Sequence, residues 1–575
     1  MPEMKRGRQV FHENIGLLRR NQLHLAQISA NLDPSDLGLE QRGGSVECFV
    51  NGLVLGADGS RADAVAVHDG VIIGLGDDAK ELGGKEVDLE GGLLISGFRD
   101  GHAHPLEGGI DLNRCPLEHC SSTEEIVATI GRYAATNPDL PWIVAGPYDP
   151  SLLPDGRGDA AWLDAVVSDR PVKLSAADYH TVWVNSRALE IAGIDALTSE
   201  PQLGQILRRS DNSPSGMLVE WGAIDLIDRH VPETTDDQRR AGLDVAVEHF
   251  LSNGIVWSQD AMVTAADAAI YLEAARQDRL KLDINMAWRA DPKKWRDQVA
   301  DFCNWRAEVD ADPAAAGRLT AFTVKFFADG VIEQGTGFVL EPYEVEPHDC
   351  GLPNWVPAEL AEAVATFAAA GFQIHIHAIG DGGVRMALDA IEHAGRVNTT
   401  APQRSVIAHT QLVDIADRGR FASLGVIANF EPLWARLEPI SEIVSKKLGP
   451  LRSEMQYPIA SLARLGSRIS FGSDWPVSSL SPLRGLSVAV TRQMPDGTPR
   501  DGWMPEERIK IVEAIRAYTS DVAFQAFDDK RGSISVGQRA DFCLLGADIT
   551  SIGGLEIADV PVKGTWVKGA QVWRV

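Results

Sequence analysis

The pattern of apolar and polar positions divides this chain into segments of different character. Between residues 10 and 32, apolar side chains recur at intervals of three, four and seven, which predicts a helix with one apolar face. From Ser45 to Leu94, short apolar runs separated by Gly and Asp predict strands joined by tight turns. Residues 530–575 show the same strand pattern. We therefore expect one small β-sandwich domain built from both ends of the chain.

The middle of the chain alternates helical segments with short apolar runs typical of buried strands. The helical pattern AELAEAVATFAAAG leads into the run FQIHIHAIG, and similar pairs continue as far as RISFGSDWP. Strands and helices in strict succession are typical of parallel βαβ units. We therefore predict the α/β fold class, with a distorted (β/α)8 TIM barrel of the kind that needs roughly 250 residues.

The predicted barrel region is longer than such a barrel requires. His102 and Asp474, at its two ends, lie 372 positions apart, so we expect an insertion after the first barrel strand, over about residues 105–250. The predicted divisions are a helical extension (1–44), the sandwich domain (45–96 and 530–575) and the barrel (97–529). The extension could pack on the body of the protein or contact a second subunit of a homodimer.

Composition excludes several classes of partner. The chain has 575 residues, with 54 Lys and Arg against 81 Asp and Glu, which gives a net charge of −27. Binding to nucleic acid or to an anionic membrane needs clustered cations, so we expect a small-molecule substrate instead. No apolar run approaches the length of a membrane-spanning helix. The six cysteines are few and scattered, which together with the lack of a secretory signal pattern favours the cytoplasm.

Two pairs of histidines are spaced for metal binding. His102 and His104 stand two apart in GFRDGHAHP, and His375 and His377 do so in QIHIHAIGD. Residues two apart on a strand face the same side, so two imidazoles can converge on one ion. Random composition would give about 0.3 such pairs in a chain with this histidine content. The cluster Cys115, His119 and Cys120 matches no common zinc pattern, and we interpret it as ordinary loop residues.

The candidate ligands share a position in the predicted fold. Each stands where an apolar strand gives way to a loop: His102, His104, Lys325, His377, His409 and Asp474. In parallel barrels the carboxyl ends of the strands meet at one rim, where active sites are built. Imidazoles, a carboxylate and a lysine at one rim suit a divalent metal.

In these motifs the chain resembles the amidohydrolase superfamily, specifically the amidohydrolase-3 group that includes N-substituted formamide deformylase and YtcJ-like proteins. The resemblance covers about residues 45–575. It rests on motifs in a fixed order: DGHAHP, DYHTVWVNSRAL, VKFFADG, HIHAIGD, VIAHTQLV, FGSDWPV, AYTSDVA and GSISVGQRADFCLL. The fold that it implies, a distorted barrel with a terminal β-sandwich and an insertion after the first strand, agrees with the interpretation above.

The resemblance also implies roles for the candidate ligands. It makes His102 and His104 ligands of a first metal ion and His377 and His409 ligands of a second, with zinc suited to both. Asp474 becomes a ligand and the general acid and base. Lys325 matches a lysine that takes up CO2 to form a carbamate bridging the two ions. A single metal at His102 and His104, with Lys325 in an ion pair, remains an alternative.

Five further residues keep open roles. His375 is expected to face the same side as His377 but deeper in the barrel, as a packed or supporting histidine. His180 matches a family histidine at the mouth of the site, where it could orient the substrate or polarise its carbonyl, or lie at the surface. Asp329 and Asp381 could support ligands or cap loops. Glu431 replaces a glutamine of the family and could favour a cationic or donor-rich substrate.

The function implied is hydrolysis of a C–N bond in an amide-like small molecule, such as an N-substituted amide, a formamide or a carbamate. Metal-activated hydroxide would attack the carbonyl, with Asp474 and His180 as catalytic residues. Hydrolysis of an ester or lactone and deamination of an amidine-type ring use related chemistry and remain alternatives. A barrel that binds metal and acts in binding or signalling without turnover is a further alternative, because fold does not imply function.

Overall fold

The computed structural model describes residues 45–117, 119–398 and 404–575. The helix predicted within residues 1–44 lies outside the described residues.

Eight parallel strands form the central barrel, and the predicted (β/α)8 fold class is confirmed. In chain order, which is also their order in the sheet, the strands are β1 (Phe98–Ala103), β2 (Ile255–Val263), β3 (Asp283–Arg289), β4 (Leu319–Phe327), β5 (Gln373–Ala378), β6 (Val406–His409), β7 (Ile427–Phe430) and β8 (Arg468–Phe471). Beyond β8 the chain returns to β1, where the backbone N–H of Asp474 donates to the carbonyl of His102 at 2.7 Å. The barrel is therefore nearly closed.

Helices follow most of the strands and cover the outside of the barrel. The helix Asp381–Val397 is typical, because Val384, Leu388 and Ile391 recur at intervals of four and three and are all buried against the sheet. The helices around the barrel are Pro105–Leu112, Asp236–Ser252, Ala265–Arg276, Trp295–Ala311, Pro357–Ala369, Asp381–Val397, Ile415–Leu424, Pro439–Ser453, Ile459–Arg464, Pro482–Thr491, Ile511–Ala517 and Ser520–Gln525.

A separate five-stranded sheet lies between β1 and β2 in the chain. Its strands, in spatial order, are Gln205–Arg208, Pro214–Val219, Thr181–Val184, Val172–Ala176 and Ile143–Tyr148. Four helices accompany it: Thr123–Thr136, Ala160–Asp164, Ser186–Ala192 and Trp221–Asp228. Asn185 caps the third of these by accepting from the backbone N–H of Ala188 at 3.0 Å, which agrees with a structural role for that residue. This inserted sheet carries His180 immediately before one of its strands.

Two further sheets are built from the ends of the described chain, and the second of them combines residues from both ends. One contains Val71–Leu75, Val65–His68, Glu47–Val50 and Lys85–Asp88; the other contains Ala570–Arg574, Val562–Val567, Phe542–Leu545, Leu93–Ser96, Leu53–Leu55 and Arg61–Ala62. In the second sheet Ser96 pairs with Phe542. Phe49 packs edge-on against Phe542 and Trp566 between the sheets, with ring centroids 5.3 and 5.6 Å apart. The short helix Gly76–Leu82 completes this region.

Within the described residues, five short 3-10 helices occupy the connections: Pro150–Leu152, Pro154–Gly156, Pro432–Trp434, Pro505–Glu507 and Gly554–Asp559. Among the described helices, none has the length and apolar character needed to cross a membrane.

Candidate metal centre

The six predicted ligands lie together at the carboxyl end of the barrel. His102, His104, Lys325, His377, His409 and Asp474 all line one cavity of about 950 Å³. The parallel strands place them there, because each residue stands near the end of its strand or just beyond it.

Asp474 lies at the centre of this cluster. Its Oδ1 atom lies 3.2 Å from Nε2 of His104 and 3.4 Å from Nε2 of His102. That oxygen is buried and has no hydrogen-bond partner among the described residues. The ligand atoms of His102, His409 and Asp474 lie within 4.8 Å of one another. Nζ of Lys325 completes the group at 3.0 Å from Nε2 of His102.

Two of these residues have an unusual backbone. His409 has φ of 71° and Asp474 has φ of 52°, in the left-handed region that side chains other than glycine rarely adopt. Such conformations cost free energy and persist where the surrounding structure imposes them, commonly at functional sites. The hydrogen bond from Asp474 to β1 is one such constraint.

Histidines that contact one another extend the cluster across the barrel. The ring centroids of His102 and His409 lie 4.8 Å apart, and those of His377 and His409 lie 4.5 Å apart. Nε2 of His377 lies 3.2 Å from the carbonyl oxygen of Gly330. A carbonyl oxygen can only accept, so this contact places the His377 proton on Nε2 and leaves Nδ1 with a free lone pair.

His375 contacts a ligand rather than the cavity. Its Nε2 lies 2.8 Å from Nδ1 of His102, and the side chain is fully buried. Since one nitrogen of His102 is engaged in this way, its other nitrogen is left facing Asp474 and Lys325. The geometry is that of a supporting histidine.

The protonation states suit metal binding. Burial lowers the pKa of His102 and His377 well below the ordinary value, and the neighbouring positive groups lower it further. Burial also lowers the pKa of Lys325 to about 7, against the opposing effects of Asp474 and Glu431. Burial would raise the pKa of Asp474, but its close contact with His104 and the nearby cationic groups outweigh this and lower it.

The donor set fits a divalent cation. Neutral imidazoles and an ionised carboxylate are the forms that ligate zinc and related metals. The buried Asp474 oxygen has no partner within the described residues, although such an atom normally has one. A bound cation would satisfy it.

The comparison with known families agrees with this geometry. The sequence profile of the amidohydrolase family matches residues 85–573, which is most of the chain.

The chain belongs to the amidohydrolase family.

The predicted resemblance to the amidohydrolase-3 group is confirmed by the family match and by two of the three relatives that follow. "Protein LONG AFTER FAR-RED 3" of Arabidopsis thaliana is 29% identical, covering 91% of this chain and 91% of that protein. "Putative amidohydrolase YtcJ" of Bacillus subtilis is 26% identical over 90% of this chain and 97% of that protein. The N-substituted formamide deformylase of Arthrobacter pascens is 26% identical over 89% of this chain and 95% of that protein.

A solved structure shares the fold of this amidohydrolase. An uncharacterized metal-dependent hydrolase from Pyrococcus horikoshii OT3 superposes with a TM-score of 0.70 at 20% identity, covering 89% of this chain and 99% of that one.

The inserted sheet of this amidohydrolase brings a further histidine to the cavity. His180 lies with its ring centroid 5.4 Å from that of His377, and its Nδ1 lies 2.9 Å from Oε2 of Glu220. Burial would lower the pKa of His180, but Glu220, Asp178 and Glu333 outweigh it and raise the pKa to about 9. His180 is therefore protonated near neutral pH. Glu220 carries no signal in the sequence, because only the fold brings it to His180.

The remaining candidates hold loops around the site. Asp329 accepts from the backbone N–H groups of Ile379 at 3.0 Å and Gly380 at 2.8 Å, and so fixes the segment after His377. Asp381 accepts from the backbone N–H of Leu340 at 2.9 Å. Cys115, His119 and Cys120 form no candidate metal group within the described residues.

Other parts of the chain complete the cavity walls. Glu333 and Asp178 form part of one wall, and the 3-10 helix Gly554–Asp559 contributes Leu555, Ala558 and Asp559 to another. Glu431 is fully buried behind His409, outside the residues that line the cavity.

Proposed function

We propose that this protein is a metal-dependent hydrolase that cleaves a C–N bond of an amide-like small molecule, such as an N-substituted amide, a formamide or a carbamate. The observation that carries the proposal is the convergence of four imidazoles, the carboxylate of Asp474 and Lys325 on one cavity. The relative named as an N-substituted formamide deformylase supports the choice of a C–N bond.

The proposed site holds two zinc ions. His102 and His104 would hold one, His377 and His409 the other, and Asp474 would complete the set. When bound, the ions would lower the pKa of a water molecule and polarise the scissile carbonyl.

Lys325 would bind both ions as a carbamate. Its neutral amine would add to CO2 with loss of one proton, which converts a group that repels cations into an anionic oxygen ligand. Burial supports this step, because a pKa of about 7 leaves much of the amine uncharged at neutral pH.

Two residues would handle protons and charge on the substrate. Asp474 would accept a proton from the attacking water and deliver it to the leaving nitrogen. Its unpartnered Oδ1 is free to do so. His180, protonated and held by Glu220, would donate a hydrogen bond to the carbonyl oxygen of the substrate as negative charge develops there.

All six cysteines are free thiols, which supports the proposal of a cytoplasmic enzyme.

The first test measures metal content per chain by elemental analysis, for the parent and for Lys325→Ala and Asp474→Asn. We expect about two ions in the parent and a clear loss in Lys325→Ala. Asp474→Asn should retain most of its metal and lose turnover by at least about 100-fold, the scale of general acid–base catalysis.

The same proteins are then screened with formamides, acylated amines, esters and amidine-type rings. Faster turnover of formamides and acylated amines than of esters and amidine-type rings supports the proposal. Near-normal turnover by Asp474→Asn would overturn its acid–base role. A parent that binds one ion, with the same metal content in Lys325→Ala, would indicate a single-metal site and favour the deaminase alternative. A metal-loaded protein with no turnover in any class would favour the binding protein.

A further inference from the structure

Glu431 occupies a position that the cavity does not reach. It follows β7 directly, and its side chain is 0% exposed. An acidic residue facing the cavity would have favoured a cationic substrate, as the sequence allowed. The structure instead places the carboxylate outside the cavity lining, where its hydrogen-bonding contact is with His409.

Two side chains fix the ring of His409. Oε2 of Glu431 lies 2.9 Å from its Nδ1. Trp434 stacks on the ring, with centroids 5.4 Å apart and planes inclined by 11°. The other carboxylate oxygen, Oε1, is buried and has no hydrogen-bond partner among the described residues. Glu431 thus makes a directed contact with this one imidazole.

We propose that Glu431 is a positioning residue that holds the proton of His409 on Nδ1 and so presents the lone pair of Nε2 to the metal. The inference deepens the proposed function, since it rests on the metal site proposed above. A carboxylate accepts a hydrogen bond through either oxygen, so rotation of the side chain leaves the same tautomer in place.

A glutamine at this position would act differently. Its amide has one accepting oxygen and one donating nitrogen, and a half-turn about the last side-chain bond exchanges them. When the nitrogen faces His409, the ring must accept at Nδ1 and carry its proton on Nε2. That tautomer has no lone pair for a metal at Nε2. The carboxylate therefore excludes a state that an amide permits.

The test compares Glu431→Gln and Glu431→Leu with the parent. The control is Glu442→Gln, which makes the same change at an exposed position of the helix Pro439–Ser453. Each purified protein is stripped of metal and titrated with zinc against a chelator of known affinity. Imidazole nitrogen shifts of histidine-labelled protein report the tautomer, and circular dichroism checks folding.

We expect Glu431→Gln to weaken the more labile zinc by about 10-fold and Glu431→Leu by about 100-fold, the range for partners of metal-bound histidines. The Gln variant should show a second His409 tautomer, while Glu442→Gln should match the parent.

Unchanged zinc affinity in both folded variants would overturn the inference. Glu431→Leu could lose zinc affinity while Glu431→Gln keeps the parental affinity and tautomer. That result would overturn the argument that a carboxylate, and not an amide, is needed at this position. These outcomes are independent of catalysis: a parent that binds zinc but hydrolyses no amide would contradict the proposed function and leave the Glu431 result standing.

Discussion

Three of the four histidines of the centre have a hydrogen-bonding partner on the nitrogen that faces away from the metal site. His102 contacts His375, His377 contacts a backbone carbonyl, and His409 contacts Glu431. These contacts differ in chemistry, and together they decide which nitrogen of each ring carries a lone pair towards the cavity. Residue type alone therefore does not describe the site.

Glu333 gives a prediction at this scale. Burial, together with the nearby charge of Asp178, raises its pKa to about 7, so ionising Glu333 destabilises the folded protein. Because the folded pKa lies above the unfolded one, stability is lost as the pH rises from about 4.5 to 7. Glu333→Gln should remove this loss and stabilise the protein at pH 8 by about 1–2 kcal/mol, allowing for partial exposure to solvent.

Urea unfolding of both proteins at pH 8 and at pH 4 measures this effect. The gain should disappear at pH 4, where the parent carboxyl is protonated in both states. Glu344→Gln, which makes the same change at an exposed position, is the control. A gain of equal size at both pH values would show that the charge is not its cause.

Much of the site could be predicted at this scale, because the signals that identify these residues lie within short segments of the sequence. His102 and His104, or His377 and the loop after it, reveal their role through spacing and position at a strand end. Glu220 does not, because its contact with His180 joins residues 40 positions apart and depends on the pairing of Thr181–Val184 with Pro214–Val219 in the inserted sheet. No periodicity in the sequence encodes that contact.

At the scale of elements, the helix that follows β1 and its two histidines packs very closely against a neighbouring helix. Pro105–Leu112 begins immediately after His104 and crosses the helix Asp236–Ser252 at two glycines. A Cβ atom on Gly109 would lie 2.0 Å from the carbonyl oxygen of Gly242. The helices can approach this closely only because neither glycine carries a side chain there.

Gly109→Ala should therefore separate the two helices and destabilise the protein by about 1–3 kcal/mol, as overpacking does. Zinc affinity should fall too, since His104 precedes the displaced helix. Gly419→Ala is the matched control: it is also a helical glycine, but a Cβ there meets nothing within 4 Å. Alanine should stabilise that helix by about 0.5–1 kcal/mol. Thermal unfolding compares them, and equal melting temperatures would contradict the packing argument.

The sequence predicted the alternation of strands and helices because periodicity is a property of each element by itself. The crossing of two helices is a property of a pair. Gly109 and Gly242 lie far apart in the sequence, and nothing near either one indicates the other.

At the scale of the whole molecule, the two ends of the described chain share one small core. Phe49, from an early strand, packs against Phe542 and Trp566 from the last ones. Phe542→Ala should lower the free energy of unfolding of this region by about 3–5 kcal/mol, the usual cost of removing a buried aromatic ring.

The midpoint of urea unfolding, followed by tryptophan fluorescence, measures this change. Val536→Ala is the control, because Val536 is 63% exposed and lies close by in the chain. Equal midpoints for the two variants would show that the shared core contributes little to stability.

The pairing of Ser96 with Phe542 also sets an order of events during synthesis. A ribosome adding about 5–20 residues per second makes the first strand wait roughly 20–90 seconds for its partner. Throughout that interval the apolar strand Leu93–Ser96 has one open edge, because only its other edge is paired, with Leu53–Leu55. The six-stranded sheet, whose first strands are among the earliest to be made, is therefore completed only near the end of synthesis. We therefore expect the newly made chain to be most prone to aggregation at this edge until residues 542–545 leave the ribosome.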